Sequence, residues 1–192
     1  IPSAVQRGGH GRQVIVDFHT HIFPPEVLAH RSDYLDRDRW FGQLYQDPKA
    51  KLATAEDLIA EMEQAGVDRA VCFGFAWADA GLLQANNDYV LDALIRYPDR
   101  LIGFACVNPA EGRPAVREIE RCASRGVRGL GELMPDGQSC ALDTEPWDPL
   151  MAWLAERATA PDPVVVLGIS CLALLLLWGV LALVVASLRE RA

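Results

Sequence analysis

The sequence predicts an α/β fold of parallel βα units followed by an apolar C-terminal segment. Three observations predict it. Short β-branched runs alternate with helix-period stretches between residues 13 and 160, the pattern of parallel βαβ units. The helix-period stretches open on capping residues and close on glycine or proline. From residue 163 to residue 188 there is no charged side chain, and Arg189, Glu190 and Arg191 follow at once.

Residues 1–12 are polar and glycine-rich and read as a flexible lead-in. Residues 13–18 (QVIVDF) form the first predicted strand. Residues 19–53 hold Pro24, Pro25 and Pro48 among scattered charges, which reads as a long loop with a short helix around 33–45. Thr54 precedes Asp57 by three residues, a capping box with Asp in place of Glu or Gln. Leu58, Ile59, Met62 and Ala65 follow at helical spacing, and Gly66 stands where a helix-ending glycine belongs. Strand 2 is predicted at 69–75. A helix at 86–97 turns Val90, Leu91, Leu94 and Ile95 inward and stops before Pro98. Strand 3 spans 101–107. A helix at 113–124, with Val116, Ile119, Glu120 and Ala123 spaced three or four apart, ends before Gly126. Strand 4 spans 127–133, and a helix at 147–158 carries Leu150, Met151 and Leu154. Four βα units fit before residue 160.

The chain has 192 residues, enough for one domain or one domain with an appendage. Hydrophobic residues at 51% and charged residues at 23% exclude a disordered or collagen-like chain. The net charge of -8, with 26 acidic against 18 basic residues and no basic stripe, argues against nucleic acid as a partner. Cys72, Cys106, Cys122, Cys140 and Cys171 show no CxxC spacing and read as buried thiols of a reducing compartment. The run 163–188 has two readings. As one helix it is long enough to span a bilayer core of about 30 Å, which makes the protein membrane-associated and single-pass, with its soluble portion cytoplasmic. Alternatively, 163–167 is a buried parallel strand and 169–188 a buried helix, since central parallel strands also read as unbroken apolar runs. The span is the favoured reading.

His19 and His21 form an HxH pair at the end of strand 1. Residues i and i+2 of a strand share a face, and ligands collect at the C-terminal ends of parallel strands. Two imidazoles there can bind one divalent metal. Asp17 shares their parity and reads either as a carboxylate that orients a ligand or as a strand cap. Glu132 ends strand 4 and reads as a third ligand or as a salt-bridge partner. His10 and His30 read as solvated. Trp40, Phe41 and Tyr45 read as the lining of a substrate mouth or as packing. No P-loop, GxGxxG or GxSxG occurs.

Three strings carry a family resemblance: VIVDFHTHIFPPEV at 14–27, NDYVLDALIRYPDRLIGFACVNP at 87–109 and GVRGLGEL at 126–133. Together they resemble the amidohydrolase superfamily, in its amidohydrolase-related branch of aromatic-acid decarboxylases and assorted hydrolases. The resemblance covers about residues 13–160. It implies a partial (β/α)8 TIM-type barrel of four units, followed here by the expected transmembrane helix. It also implies metal-dependent hydrolysis or decarboxylation of a small organic acid, amide or ester. The implied cofactor is a divalent metal, zinc in the first instance, on His19, His21 and Glu132, with Asp17 behind them.

The chain also departs from that family. The family uses a histidine after strand 5, another after strand 6 and an aspartate after strand 8, whereas this chain has no histidine after His30. Where strand 5 belongs, the sequence reads PVVVLGIS. A complete barrel typically takes about 250 residues. Three accounts follow: a truncated or frame-shifted product, a membrane-tethered half-barrel completed by another chain, or a tail that folds into the barrel. An open half-barrel predicts self-association through its sheet edges. The alternative function is a catalytically inert, membrane-attached remnant or interaction module. Two expectations bear directly on the site: four parallel strands in sequential order, and His21 and Glu132 at the same end of the sheet.

Overall fold

The computed structural model describes residues 13–140, 145–158, 166–169 and 183–184. The predicted lead-in at 1–12, with His10, lies outside them. Six strands form one sheet in sequential order: β1 (Val16–His21), β2 (Arg69–Phe73), β3 (Leu101–Ala105), β4 (Gly129–Leu133), β5 (Val166–Ile169) and β6 (Leu183–Val184). Pairing is parallel from β1 through β5 and antiparallel between β5 and β6. The helices are α1 (Pro25–Ala29), α2 (Arg31–Arg37), α3 (Arg39–Tyr45), α4 (Ala55–Ala65), α5 (Ala80–Arg96), α6 (Arg113–Ala123) and α7 (Asp148–Ala158). The four predicted βα units are therefore present as a parallel half-barrel.

The two faces of the sheet bury different residues. On the outer face Ala70, Cys72 and Leu101 pack against Ala55 and Met62 of α4 and Val90 and Ala93 of α5. Further along, Leu130 packs with Ile119 and Cys122 of α6 and Leu150 and Leu154 of α7. On the inner face Val71, Phe73, Phe104 and Cys106 meet Phe23, Phe41, Phe75 and Trp77. Cys72, Cys106, Cys122 and Cys140 are buried free thiols.

Several boundaries differ from the predicted ones. Strand 1 runs three residues further than predicted, so both histidines lie within it. The predicted loop at 19–53 contains three short helices. Asp38 explains the last of them. Its Oδ1 accepts the backbone N–H groups of Trp40 and Phe41, each at 2.9 Å, and its Oδ2 accepts that of Ala78 at 2.9 Å. The carboxylate thus caps α3 and pins it to the chain beyond β2. Asp38→Ala should destabilise the fold by about 1–3 kcal/mol, because it removes a cap and strands a third donor. An unchanged urea midpoint would refute that anchoring role.

The helix predicted at 86–97 starts at Ala80, where Asp79 caps it by accepting the Leu82 N–H at 2.8 Å. Its first turns bury Leu83, Asn86 and Asn87, and the two asparagines hide the apolar stripe from a periodicity count. The capping box of α4 is present: Thr54 Oγ1 accepts the Asp57 N–H, and Asp57 accepts the Thr54 N–H at 2.9 Å. The Thr54 N–H and the Thr54 hydroxyl, which donate to Asp57 Oδ2 at 2.9 and 2.8 Å, hold the Asp57 carboxyl below its ordinary range.

The favoured reading of 163–188 as one membrane helix needs correction where the run is described. Val166–Ile169 extends the sheet beside β4, and Leu183–Val184 is a strand paired to it. Among the described residues no helix is long and apolar enough to cross a membrane. The physical reason is the ambiguity already noted: hydropathy cannot separate a doubly covered parallel strand from a span. The remainder of the run lies outside the described residues.

Candidate metal centre

The site is built at the C-terminal ends of β1 and β4. His21 pairs with Phe73, on the inner face of the sheet. Its Nδ1 lies 2.9 Å from the Gly74 carbonyl oxygen. A carbonyl only accepts, so Nδ1 carries the proton and Nε2 is left to face the site. Nε2 lies 3.3 Å from Oε2 of Glu132, which is buried at 6% exposure. His21 and Glu132 therefore stand at the same end of the sheet, as expected.

His19 completes a trio. The imidazoles of His19 and His21 and the Glu132 carboxylate offer one ligand atom each, all within 4.8 Å of one another. Phe73 supports both rings edge-on, with centroids 5.0 Å from His19 and 4.7 Å from His21. Partial desolvation of the ring, and then the neighbouring His21, push the His19 pKa below its ordinary value, against the pull of Glu132 and Asp17. That direction favours the neutral imidazole, the form that binds metal.

Asp17 is placed differently from its predicted parity. The β1–β2 register shifts between Asp17 and Thr20, so that Asp17 pairs with Ala70 and Thr20 with Cys72 on the helix-covered face. A bulge inserts one residue and breaks strict alternation. The Asp17 carboxylate accepts the His19 backbone N–H at 3.1 Å, which braces the bulge.

His30 is exposed at the junction of α1 and α2 and is not part of the trio. Trp40 and Phe41 belong to the inner aromatic cluster. Tyr45 stands nearer the site: burial, and then the Glu132 carboxylate, raise its phenol to about 12.

Sequence reasoning missed the supporting polar residues. Cys106 lies between the ends of β2 and β4, its Sγ 3.3 Å from the Gly131 oxygen and 3.7 Å from the Gly74 oxygen. Burial and then Glu132 push its thiol pKa up, so it serves as an S–H donor and not as a nucleophile. Gln138 ties three strand ends together. It accepts the Met134 N–H at 3.2 Å and donates to the oxygens of Trp77 and Val107 at 3.3 and 2.9 Å. A polar residue a few positions beyond each strand end was the only signal available for them.

A parallel half-barrel with an HxH pair and a carboxylate at its strand ends defines a class of metal-dependent enzyme scaffold. The family model Amidohydro_2, described as amidohydrolase, matches residues 16–162, and the chain belongs to that family. The 4-sulfomuconolactone hydrolase of Rhizobium radiobacter is 28% identical over 141 residues, which are 73% of this chain and 41% of that protein. Among solved structures, the 5-carboxyvanillate decarboxylase of Novosphingobium aromaticivorans, in complex with manganese and 4-hydroxy-3-methoxy-5-nitrobenzoic acid, is 25% identical. Its TM-score is 0.61, and the match covers 80% of this chain and 51% of that one. The 2,6-dihydroxybenzoate decarboxylase from Rhizobium shares the fold, with a TM-score of 0.54 at 19% identity over 75% of this chain and 47% of that one. The chain thus spans about half the length, or less, of the relatives it matches.

Proposed function

We propose that this chain carries the first half of a divalent-metal-dependent hydrolase or decarboxylase site acting on a small organic acid, amide or ester. One observation carries the reading: His21 Nε2 faces Glu132 Oε2 at 3.3 Å while Nδ1 is committed to Gly74. Two lone-pair atoms so placed need a cation between them, a proton or a metal ion. Donors about 2.1 Å from one ion lie up to about 4.2 Å apart, so the pair fits a metal. The exposed His19 side chain has the freedom to close the remainder.

His21 and Glu132 would hold the ion most firmly, with His19 as the third ligand. The donor set of two imidazoles and one carboxylate suits zinc and manganese alike. Manganese in the decarboxylase complex supports a divalent ion without singling out zinc. Such a metal supplies Lewis-acid polarisation of a carbonyl or carboxylate oxygen and activation of water. Of the chain's own groups, the Gly74 carbonyl fixes the tautomer of His21 and Phe73 holds both rings. The aromatic cluster of Phe23, Phe41 and Phe75 shields the inner face from water. The inert, membrane-attached alternative has no structural observation in its favour, since the ligand trio is assembled and the described part of the apolar run is sheet.

The test is titration of the full chain with Mn2+ and with Zn2+. We expect one ion per chain, with uptake releasing protons and weakening as the pH falls, because metal competes with protons for these ligands. Glu132→Gln should lower the affinity at least about tenfold, since an amide oxygen replaces a buried anionic ligand. Equal affinity of wild type and Glu132→Gln would sink the site.

A further inference from the structure

We propose that Asn86 is the positioning residue of His21, an inference that rests on reading His21 as a metal ligand. Asn86 lies on α5, 2% exposed, and its carboxamide makes three buried hydrogen bonds. Oδ1 accepts from the Phe75 backbone N–H at 3.1 Å and from the Trp77 indole N–H at 3.2 Å. Nδ2 donates to the Ile22 carbonyl at 3.1 Å. Ile22 directly follows His21, and Phe75 directly follows Gly74, whose carbonyl takes the His21 Nδ1 proton. One side chain therefore ties the backbone that carries the imidazole to the backbone that carries its acceptor.

The task needs an amide. It must donate on the β1 side and accept on the β2 side, which an aspartate or a leucine cannot do together. Gly74 shows how close the fit is: a Cβ there would lie 2.4 Å from Asn86 Cγ. With the clamp in place, His21 keeps its proton on Nδ1 and presents Nε2 to Glu132. Without it, Nε2 is free to take the proton and is then closed to a metal.

Asn87 supplies an internal control. It is also buried, and it also makes three hydrogen bonds. Its Nδ2 donates to the Cys106 oxygen and to Glu118, and its Oδ1 accepts the Cys106 N–H. It joins the end of β3 to α6, makes no hydrogen bond to the backbone beside His21 or Gly74, and reaches Gly74 only indirectly, through the long 3.7 Å contact of the Cys106 thiol. The two asparagines carry similar structural weight and differ in whether they hydrogen-bond directly to the segments that hold His21 and its acceptor.

The experiment uses the full chain, 15N-labelled at histidine, with Asn86→Ala, Asn86→Ser and Asn87→Ala. Asn86→Ser keeps a hydroxyl for one of the three partners, in case Asn86→Ala does not fold. NMR of the metal-free proteins reads the His21 tautomer, and titration with Mn2+ and Zn2+ reads affinity. Wild type and Asn87→Ala should show the Nδ1–H tautomer, with affinities within about twofold of each other. The Asn86 variants should lose that tautomer and bind metal about tenfold or more weakly, the range of a lost supporting contact behind a ligand. An unchanged tautomer in the Asn86 variants would overturn the proposal, as would an equal loss of affinity in the Asn86 and Asn87 variants. A wild type that binds neither ion would sink the ligand reading of His21, while the tautomer comparison would still decide the role of Asn86.

Discussion

Replacing His21 with alanine should lower the affinity of the chain for Mn2+ and Zn2+ by at least about a hundredfold, the upper end of what losing even a supporting contact costs. The expectation follows from how this ligand is held. Gly74 fixes its tautomer, Phe73 its ring plane, and Glu132 faces its free nitrogen. Removing it leaves Glu132 buried without its imidazole partner at 3.3 Å. His19→Ala should cost less than His21→Ala, because His19 is exposed and its ring is braced mainly by aromatic contact. Sequence spacing alone ranked the two histidines as equals and placed Glu132 third. The structure makes His21 and Glu132 the stronger pair. Metal titration of the two single variants separates the rankings, and equal losses would favour the one drawn from spacing.

Phe41→Ala should destabilise the fold by about 3–5 kcal/mol, the cost of deleting a buried aromatic side chain. Phe41 is fully buried at the centre of the inner cluster. Its ring centroid lies 4.6 Å from that of Trp77, 4.8 Å from Tyr45, 5.5 Å from Phe75 and 6.0 Å from Phe23. Phe23 in turn stacks on His21 at 6.4 Å, so the loss should also loosen the site. Phe41→Leu keeps most of the volume and should cost less than the alanine variant. Chemical denaturation followed by both tryptophan fluorescence and circular dichroism measures each loss. A loss below about 1 kcal/mol for Phe41→Ala would mean that α1–α3 do not form part of the core.

Strands β1 to β4 were legible in the sequence because each is a short, largely apolar run between turn residues, and α4 to α6 each carried a cap or a stop. The α4 capping box is local chemistry within four residues, and it forms as read. The segment 19–53 was less legible. Its helices are too short for a periodicity count, and the α3 cap does its second job on Ala78, forty positions away in sequence. The first turns of α5 were lost for a related reason. Asn86 and Asn87 look like surface residues until their partners just beyond the ends of β1, β2 and β3 are in place. Asp17 was misplaced because a one-residue bulge shifts parity, and nothing in a single strand announces a bulge.

By itself, the sequence determined the α/β class and the order of the first four strands, and it singled out His19, His21 and Glu132 as candidates, which the fold brings together. These depend on local propensity and on the rule that parallel strands present their C-terminal ends together. Only the tertiary structure decided which ring nitrogen of His21 faces Glu132, that Asp17 braces a bulge, and that 166–169 pairs with β4. Each of those depends on a partner far away in sequence, a carbonyl on β2's exit, the register of β2 or the edge of β4. Distances of that kind are set when the strands come together, and no window of neighbouring residues contains them.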